Sequence, residues 1–417
     1  MTRKPLPLLA AIAAVVLVAC TATAPSPRAG TRSDLLILVS IDGFRWDYLQ
    51  KDPCPELRQL AAEGVHARRM NSSFPSLTFP NHYTLVTGLR PEHHGIVANT
   101  FREPGRADPF KYTSHESSID PAWWAGGEPV WITAERQGVR SACFFWPGSE
   151  AENHGRRPSF YRQFDKHLTC DQRVDGLLEW LALPPEKRPR LATLYFDVVD
   201  SAGHTFGPDA PETAAAIATV DAALGRLRAG LAKLGLRDRT DLVLVSDHGM
   251  EPVSADRTIL LDDFVPLESI DVDFAGPVAG LRPKSGTPAE LVARFRGRDP
   301  HLQAWLRDEV PERLHYRASN RIAPVVLCAD PGWMITTRDF LRVRRATFER
   351  GAHGFDPDSV NMGALFIAHG PSFRRGHEFA GVDNIHVYNL LCAALGLKPA
   401  PNDGDDRLVR EAWEGRR

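Results

Sequence analysis

The sequence has little cysteine, no clustered charge of one sign and few long apolar runs. None of its six cysteines forms a CxxC pair, which argues against a zinc site built from thiolates. Its 50 Lys and Arg residues nearly balance 52 Asp and Glu residues, and no long basic run would attract nucleic acid polymers. The chain has no internal repeat and, after the N-terminal leader, no low-complexity tract. The composition, with 43% hydrophobic residues, is that of an ordinary globular protein.

The N-terminus resembles an export signal. Basic residues precede an apolar stretch at 6–19 that is too short for a comfortable membrane span. The sequence LVAC resembles a bacterial lipobox, which implies a lipid on Cys20; cleavage after Ala24 is the alternative. We expect a signal peptide over 1–20, a tether over 21–33, and an exported, periplasmic or cell-envelope protein anchored by lipid.

Five cysteines remain if Cys20 carries a lipid, and an odd number leaves at least one of them unpaired. An exported protein can form disulfides, but the sequence alone does not assign partners. The five are Cys54, Cys143, Cys170, Cys328 and Cys392.

Apolar runs with strand character alternate with helical patterns along the rest of the chain. Examples of the strand-like runs are LLILVS, DLVLV, SACFFWPG and NMGALFIAHG. The alternation predicts an α/β fold with a mainly parallel central sheet and helices on both faces. Between 251 and 350 the pieces become shorter and more polar, which is typical of an inserted segment. We therefore expect a catalytic core in two parts, 34–250 and 351–417, with a small cap-like insertion at 251–350.

Three aspartates follow strand-like runs directly. LLILVSID ends at Asp42, LATLYFDVVD at Asp200 and DLVLVSD at Asp247. Because ligands bind outside the carboxyl ends of strands in open α/β sheets, these carboxylates are candidates for one site. His248 follows Asp247, and both can reach one ion only if the strand has ended, which Gly249 indicates. Carboxylates and imidazoles at one sheet edge suggest a two-metal hydrolase.

Two further histidines are candidate ligands. Asp200 and His204 are four residues apart, which puts them on one face of a helical turn or a tight loop, and Gly203 and Gly207 allow close backbone approach. His353 lies between glycines in GAHGF, where a bulky ligand has room. A lone histidine in such a place is more often a surface or capping residue.

The segment SFPSLTFPNHYTLVTG contains the candidate nucleophile, Thr78. Pro80 suits a first helical turn, so Thr78 would lie just before a helix, at the positive end of its dipole. Threonine needs a base or a metal to act as a nucleophile at neutral pH. Taken alone, a threonine in this place is more often an ordinary helix N-cap.

These pieces together resemble the nucleotide pyrophosphatase/phosphodiesterase family of the alkaline phosphatase superfamily. The motifs occur in family order and cover most of the chain from about 35 to 373. They are VSIDGFRWDYL, FPSLTFPNHYTLVTGLRPEHHGIVAN, FFWPGSE, YFDVVDSAGHTFGP, SDHGM and HGFDPDSVNMGALFIAHGPSF.

The resemblance implies two zinc ions, for which manganese or iron could substitute, and a covalent mechanism. Thr78 would be nucleotidylated, and water would then release a 5′-nucleotide, for example AMP from ATP with pyrophosphate as the other product. Asn99 and the backbone N–H of Phe79 would bind a non-bridging phosphate oxygen. One ion would be held by Asp200, His204 and His353, and the other by Asp42, Asp247, His248 and Thr78.

A phosphodiester substrate brings a second organic group that needs an apolar wall. Phe79 would supply one face of a slot for a nucleobase. The family usually has a tyrosine on the opposite face, and at the matching place this chain has Phe164, with Tyr161 nearby. The alternative is that Phe164 is a core residue and Tyr161 an exposed aromatic.

Two other functions stay open. Relatives with the same metal site act on lipid head groups such as choline-phosphate esters, which would require an aromatic or acidic cage. An inactive ligand-binding protein on the same fold is disfavoured, because all seven metal-site side chains are present. The substrate would be a nucleotide or another small phosphodiester, and no protein partner is evident.

Overall fold

The computed structural model describes residues 1–2, 33–51 and 53–414. The predicted signal peptide, the lipid site at Cys20 and nearly all of the predicted tether lie outside the described residues. In the part of the chain that is described, no helix combines the length and apolarity needed to cross a membrane.

The strands of the described residues form one large sheet and several small ones. They are β1 (Leu35–Ile41), β2 (Val65–Asn71), β3 (Thr100–Phe101), β4 (Phe110–Lys111), β5 (Ser141–Phe144), β6 (Phe160–Arg162), β7 (Leu191–Phe196), β8 (Thr240–Val245), β9 (Glu251–Pro252), β10 (Thr258–Leu260), β11 (Ile270–Phe274), β12 (Val278–Pro283), β13 (Leu302–Leu306), β14 (Val325–Ala329), β15 (Met334–Thr336), β16 (Gly351–Ala352), β17 (Ala364–His369), β18 (His377–Phe379) and β19 (Val382–Asp383).

The α-helices lie between these strands, mostly around the large sheet. They are α1 (Tyr48–Lys51), α2 (Pro55–Glu63), α3 (Thr78–Thr87), α4 (Pro91–His94), α5 (His115–Ser118), α6 (Pro121–Trp124), α7 (Val130–Arg136), α8 (Cys170–Leu181), α9 (Val198–Phe206), α10 (Pro211–Lys233), α11 (Pro288–Phe295), α12 (Arg338–Arg344), α13 (Val387–Leu395) and α14 (Arg407–Ala412).

Local sequence signals mark several helix starts. Pro55 and Pro211 occupy the first turns of α2 and α10, where a missing N–H costs nothing. Thr169 caps α8 by accepting from the backbone N–H of Gln172, whose side chain accepts from the Thr169 N–H in return. These signals mark the starts of α2, α8 and α10 in the local sequence.

The large sheet is mainly parallel, as predicted. Its strand order is β18-β2-β17-β8-β1-β7-β5-β6, and β19 also pairs with β2. Among the described strands of this sheet, β17 alone is reversed, because it pairs antiparallel with both β2 and β8. The parallel arrangement of β8, β1, β7 and β5 brings the carboxyl ends of these strands to the same edge.

Both faces of the central strand β1 are buried. Leu35, Ile37 and Val39 pack in a cluster with apolar residues of α2, α8 and α10. Leu36 and Leu38 point the other way, into a cluster with residues of α3, α7 and α13. A strand covered on both faces has an unbroken apolar sequence, which is what LLILVSI shows.

Residues 251–350 contain a four-stranded antiparallel sheet with the order β11-β12-β14-β13. The helix α11 covers one face of this sheet, where Leu291 and Phe295 pack with Leu281 and Leu327. The short strands β9 and β16 pair with each other at the two ends of the segment. The division of the chain into a core and an inserted cap stays a prediction.

Two expected element boundaries were wrong. The strand β7 ends at Phe196, and Asp200 lies in the first turn of α9; the β-branched Val198 and Val199 make the run look like one long strand. Helix α3 begins at Thr78, with Leu77 as the extended residue before it, so Thr78 is the first helical residue and not an N-cap.

All five described cysteines are buried, and none of them is in a disulfide. No disulfide occurs among the described residues, so none of the pairings that an exported protein would permit is present.

Candidate metal centre and active site

Five short segments deliver the predicted ligands to one place. Asp42 follows β1, and Asp247 with His248 follows β8. The helix α3 contributes Thr78 from its first turn, α9 contributes Asp200 and His204 from one face, and His353 follows β16. All seven predicted side chains therefore converge, although they come from positions more than 300 residues apart in the sequence.

Three ligands surround the Thr78 hydroxyl. Thr78 Oγ1 lies 3.3 Å from Nε2 of His248. The same nitrogen lies 3.5 Å from Oδ1 of Asp42 and 2.9 Å from Oδ2 of Asp247. This is the set that was expected to share one ion with Thr78.

The second expected set lies beside it. Asp200 Oδ1 is 3.5 Å from Nε2 of His204 and 3.6 Å from Nε2 of His353. The compact groups, in which all ligand atoms lie within 4.8 Å of one another, are Asp42, Asp247 and His248, and Asp200, His248 and His353. His248 thus stands between the two sets, and its ring stacks on that of His353 with centroids 3.5 Å apart. How the ligands divide between two ions stays a prediction.

The imidazoles of the three predicted histidine ligands are oriented in the same way, by a backbone carbonyl that faces Nδ1. Nδ1 of His204 donates to the Gly351 carbonyl at 2.9 Å, and Nδ1 of His353 donates to the Ser76 carbonyl at 2.9 Å. Nδ1 of His248 likewise faces the carbonyl of the next residue at 2.9 Å. A backbone acceptor at Nδ1 fixes the tautomer and leaves Nε2 free as a metal ligand.

Three buried carboxylate oxygens at this place accept no hydrogen bond from the described residues. They are Oδ1 of Asp42, Oδ1 of Asp200 and Oδ2 of Asp247. A buried charged oxygen without a hydrogen bond is costly unless it is paired or binds a metal. Because these oxygens face the free imidazole nitrogens, the donor set fits divalent cations such as zinc.

The carboxylates also perturb one another. Burial raises the pKa of Asp42 well above its ordinary value, and the neighbouring carboxylates of Asp247 and Asp200 raise it further. Burial acts to raise the pKa of Asp247 too, but the imidazoles of His248 and His82 outweigh it and hold that pKa well below the ordinary value. Like charges crowded in a buried place favour bound cations.

A cavity of about 390 Å³ opens beside Thr78. None of the described residues that line it is a lysine or an arginine, and His115 is the one basic side chain among them. Its lining residues are Asp42, Thr78, Phe79, Tyr112, Thr113, His115, Ser118, Phe145, Trp146, Pro147, Gly148, Glu150, Gln163, Phe164, Tyr195, Asp197 and Asp200.

Aromatic side chains form the walls of this cavity. Phe79 and Phe164 both line it, as predicted, and Tyr112 joins them with its ring centroid 5.7 Å from that of Phe79. Phe164 is 45% exposed, so the alternative of a core residue is wrong. Tyr161 does not line the cavity; it lies on β6, and its ring faces Arg157.

The two predicted phosphate donors are bonded to each other. The backbone N–H of Phe79 donates to Oδ1 of Asn99 at 2.9 Å. Asn99 is thus next to the nucleophile, as expected, but this N–H is already engaged. The NH₂ group of Asn99 is the donor that this pair leaves for a ligand.

Sequence reasoning missed two buried residues of the site. Nδ1 of His82 donates to the Thr78 carbonyl at 2.9 Å and lies 3.3 Å from Oδ2 of Asp247. The Tyr195 hydroxyl donates to Oδ2 of Asp42 at 2.6 Å. The one available signal was spacing, because His82 follows Thr78 by four residues on the predicted helix.

The model of the type I phosphodiesterase/nucleotide pyrophosphatase family matches residues 36–356. The chain belongs to this family. Among curated relatives, the family matches include an uncharacterised pyrophosphatase/phosphodiesterase of Schizosaccharomyces pombe, 41% identical over 379 residues, which are 88% of this chain and 78% of the relative. The human ectonucleotide pyrophosphatase/phosphodiesterase family member 1 is 38% identical over 392 residues, 91% of this chain but 42% of its own length. The chain therefore spans less than half of this human relative.

Solved structures of the family share the fold. Murine ectonucleotide pyrophosphatase/phosphodiesterase 5 superposes with a TM-score of 0.86 and 35% identity, covering 91% of this chain and 100% of that one. An inactive form of the same murine protein, in complex with AMP, also has a TM-score of 0.86, with 34% identity and the same coverage. The predicted family and its α/β fold are confirmed.

Proposed function

We propose that this chain is a metal-dependent phosphodiesterase that cleaves phosphodiester or pyrophosphate linkages at the α-phosphate of nucleotides. The observation that supports the proposal most is the cluster beside Thr78 of three buried carboxylate oxygens that accept no hydrogen bond and the Nε2 atoms of three histidines that face them. That set lies at the end of a cavity with aromatic walls and no lysine or arginine among its described lining residues.

The seven side chains have distinct proposed roles. Two zinc ions, when bound, would supply positive charge beside the Thr78 hydroxyl and beside the leaving oxygen. The proposed holders of the first are Asp42, Asp247, His248 and Thr78, and those of the second are Asp200, His204 and His353.

Thr78 is the proposed nucleophile. Its Oγ1 forms a bond to the α-phosphorus as the bond from phosphorus to the leaving oxygen breaks, which gives a threonine-linked nucleotide. Water then attacks the same phosphorus, and Thr78 leaves with its hydroxyl restored. The amide of Asn99 is placed to donate to a non-bridging oxygen, where negative charge accumulates.

The aromatic walls are the proposed nucleobase slot. Phe79, Phe164 and Tyr112 line the cavity within reach of Thr78, and stacking a base on an aromatic ring contributes ~1–3 kcal/mol. The AMP bound to the murine relative supports a nucleotide as the ligand.

Choline-phosphate esters are a second candidate substrate, because carboxylates of Asp197 and Glu150 line the same cavity. Both carboxylates already have partners, however. Asp197 pairs with Arg173 at 2.7 Å, and Glu150 accepts from the N–H of Phe164 at 2.9 Å. We therefore favour the nucleotide.

A paired assay tests the function. The purified protein is given the nitrophenyl ester of thymidine monophosphate, nitrophenyl phosphate and nitrophenyl phosphorylcholine, with and without a chelator. We expect preference for the first substrate, loss of turnover on chelation, and loss of at least about 1,000-fold in kcat for Thr78→Ala. Thr78→Ser, which keeps a hydroxyl, is the matched control. If the phosphorylcholine ester is turned over as fast as the thymidine ester or faster, the nucleotide hypothesis is refuted and the lipid head-group hypothesis takes its place.

We also propose that the protein is exported and anchored to the cell envelope by a lipid on Cys20. The relatives named as ectonucleotide enzymes and as venom phosphodiesterases support export. Mass spectrometry of the mature N-terminus tests it: a diacylated Cys20 is expected, and an unmodified chain that begins after Ala24 would contradict the anchor.

A further inference from the structure

Glu349 places a carboxylate at the end of the ligand cluster that is farther from Thr78. Its Oε2 lies 3.5 Å from Nδ1 of His204, whereas the Thr78 hydroxyl contacts His248. The Glu349 side chain is 52% exposed. No lysine or arginine of the described residues forms an ion pair with it; the ion pair that it makes is with the imidazole of His204.

The position of His204 does not depend on this carboxylate. Nδ1 of His204 already donates to the Gly351 carbonyl at 2.9 Å, a shorter contact than that with Glu349. A backbone acceptor is sufficient to fix the orientation of a ligating imidazole. Glu349 is therefore free to act on something other than the ligand.

The charge of Glu349 reaches the substrate cavity. Tyr112, a wall of that cavity, has its pKa raised first by burial and then by the carboxylates of Glu349 and Asp200. Glu349 also lines a neighbouring cleft of about 230 Å³. Apolar side chains of Met334, Phe340 and Phe348 line this cleft as well, together with Arg344.

The geometry of in-line displacement determines which part of the substrate would lie near Glu349. The leaving oxygen lies opposite the attacking Thr78 Oγ1 across the phosphorus, which is the side of Asp200 and His204. The leaving group then extends past His204 toward Glu349 and the cleft. Arg344 lines that cleft too, but Glu349 is the residue whose charged side chain contacts the predicted ligand His204.

We propose that Glu349 is a specificity-determining residue that selects substrates by the charge of the leaving group. A neutral leaving group, such as a nucleoside alcohol whose ring can enter the apolar cleft, is favoured over the polyanion pyrophosphate. This inference rests on the proposed function and narrows it from nucleotides in general to nucleoside phosphodiesters.

The test compares wild type with Glu349→Gln on two substrates. Thymidylyl-thymidine has a neutral nucleoside as its leaving group, and ATP has pyrophosphate. We expect the ratio of kcat/KM for ATP to kcat/KM for thymidylyl-thymidine to rise on the order of 5-fold in Glu349→Gln at low salt. The rise should shrink at about 0.5 M salt, where exposed charges are screened. Asp308→Asn removes one charge from a side chain that is 81% exposed and far from the ligands in sequence, and should leave the ratio unchanged.

The zinc content of each variant is measured alongside. If Glu349 merely supported His204, Glu349→Gln would lose zinc and both substrates would slow alike, which would overturn the proposal, as would an unchanged ratio. If the wild-type protein cleaves neither substrate, the proposed function fails and this inference fails with it. If it cleaves both with the ratio unchanged, the role of Glu349 alone is refuted.

Discussion

Individual buried charges dominate this site. Asp42, Asp247 and Asp200 each bury a carboxylate oxygen that accepts no hydrogen bond from the described residues. Leaving such a charge uncompensated costs several kcal/mol, so the residues that orient these carboxylates matter almost as much as the carboxylates. His82 is the clearest of them, since it is fully buried and touches both Asp247 and the backbone of Thr78.

The two ring nitrogens of His82 can be tested separately. In His82→Asn the amide nitrogen replaces Nδ1, which faces Thr78 and Asp247; in His82→Gln it replaces Nε2, which lies 2.8 Å from Ser40 Oγ. If Nδ1 positions the nucleophile, His82→Gln should lose about 10- to 100-fold in kcat and His82→Asn much less. KM should change little in either variant.

Thermal unfolding and zinc titration of both variants provide the control. A purely structural role would lower the melting temperature and would not distinguish Asn from Gln in kcat. Equal kcat values for two folded variants would therefore refute a positioning role for Nδ1.

Short turns at the ends of elements bring the charged residues together. Gly43 follows Asp42 with φ of +68°, and a Cβ there would lie 3.0 Å from the Asp200 Cα. The turn after β1 therefore approaches helix α9 closely at Gly43. Glycine permits both the left-handed backbone conformation and the short contact, because it has no Cβ. Gly249 also permits a close backbone approach after β8, since a Cβ there would lie 2.0 Å from the Asn361 carbonyl oxygen.

Gly43→Ala should therefore weaken zinc binding as well as stability. The matched control is Gly105→Ala, because Gly105 has φ of +85° and a Cβ added there would meet no atom within 4 Å. Backbone strain should cost each variant about 1 kcal/mol of unfolding free energy. Zinc affinity, measured by competition with a chelating dye, should fall in Gly43→Ala alone. Equal zinc affinities of the two variants would mean that Asp200 moves away from the added methyl group without weakening the metal site, which would contradict the prediction.

At the scale of the whole molecule, acid stability depends on a histidine outside the site. Burial lowers the pKa of His94 from its ordinary value of 6.5 to about 3. The N–H of Ile96 donates to Nδ1 of this ring at 3.1 Å, so a proton on Nδ1 would break that bond. The folded state thus resists protonation of His94, whereas the unfolded chain does not.

The sign of the pH dependence follows. Between pH 6.5 and 3 the unfolded state binds a proton that the folded state excludes, so the free energy of unfolding falls as the pH falls. We expect a loss of about 2–3 kcal/mol between pH 6.5 and 4.5 from this residue. Urea unfolding of the metal-free protein measures it, and His94→Gln should show a shallower slope over the same range. An identical slope would assign the acid sensitivity to other groups.

The sequence by itself determined the order of strands and helices and marked the candidate ligands. Both follow from local patterns, because an apolar run buried on two faces, a four-residue spacing on a helix and an Asp before a Gly are readable without tertiary contacts. This is why Asp42, His204 and Asp247 were found in sequence and now lie together. Local patterns also gave a wrong boundary, because the β-branched Val198 and Val199 made the strand β7 look longer than it is.

The tertiary structure alone decided which side chains meet in space. Tyr112 and not Tyr161 faces the cavity, and Glu349 approaches His204, because loops far apart in sequence pack against the same sheet edge. The engagement of the Phe79 N–H by Asn99 has the same origin. Contacts between residues far apart in sequence depend on how the whole hydrophobic core packs. No local repeat of apolar residues in the sequence predicts them.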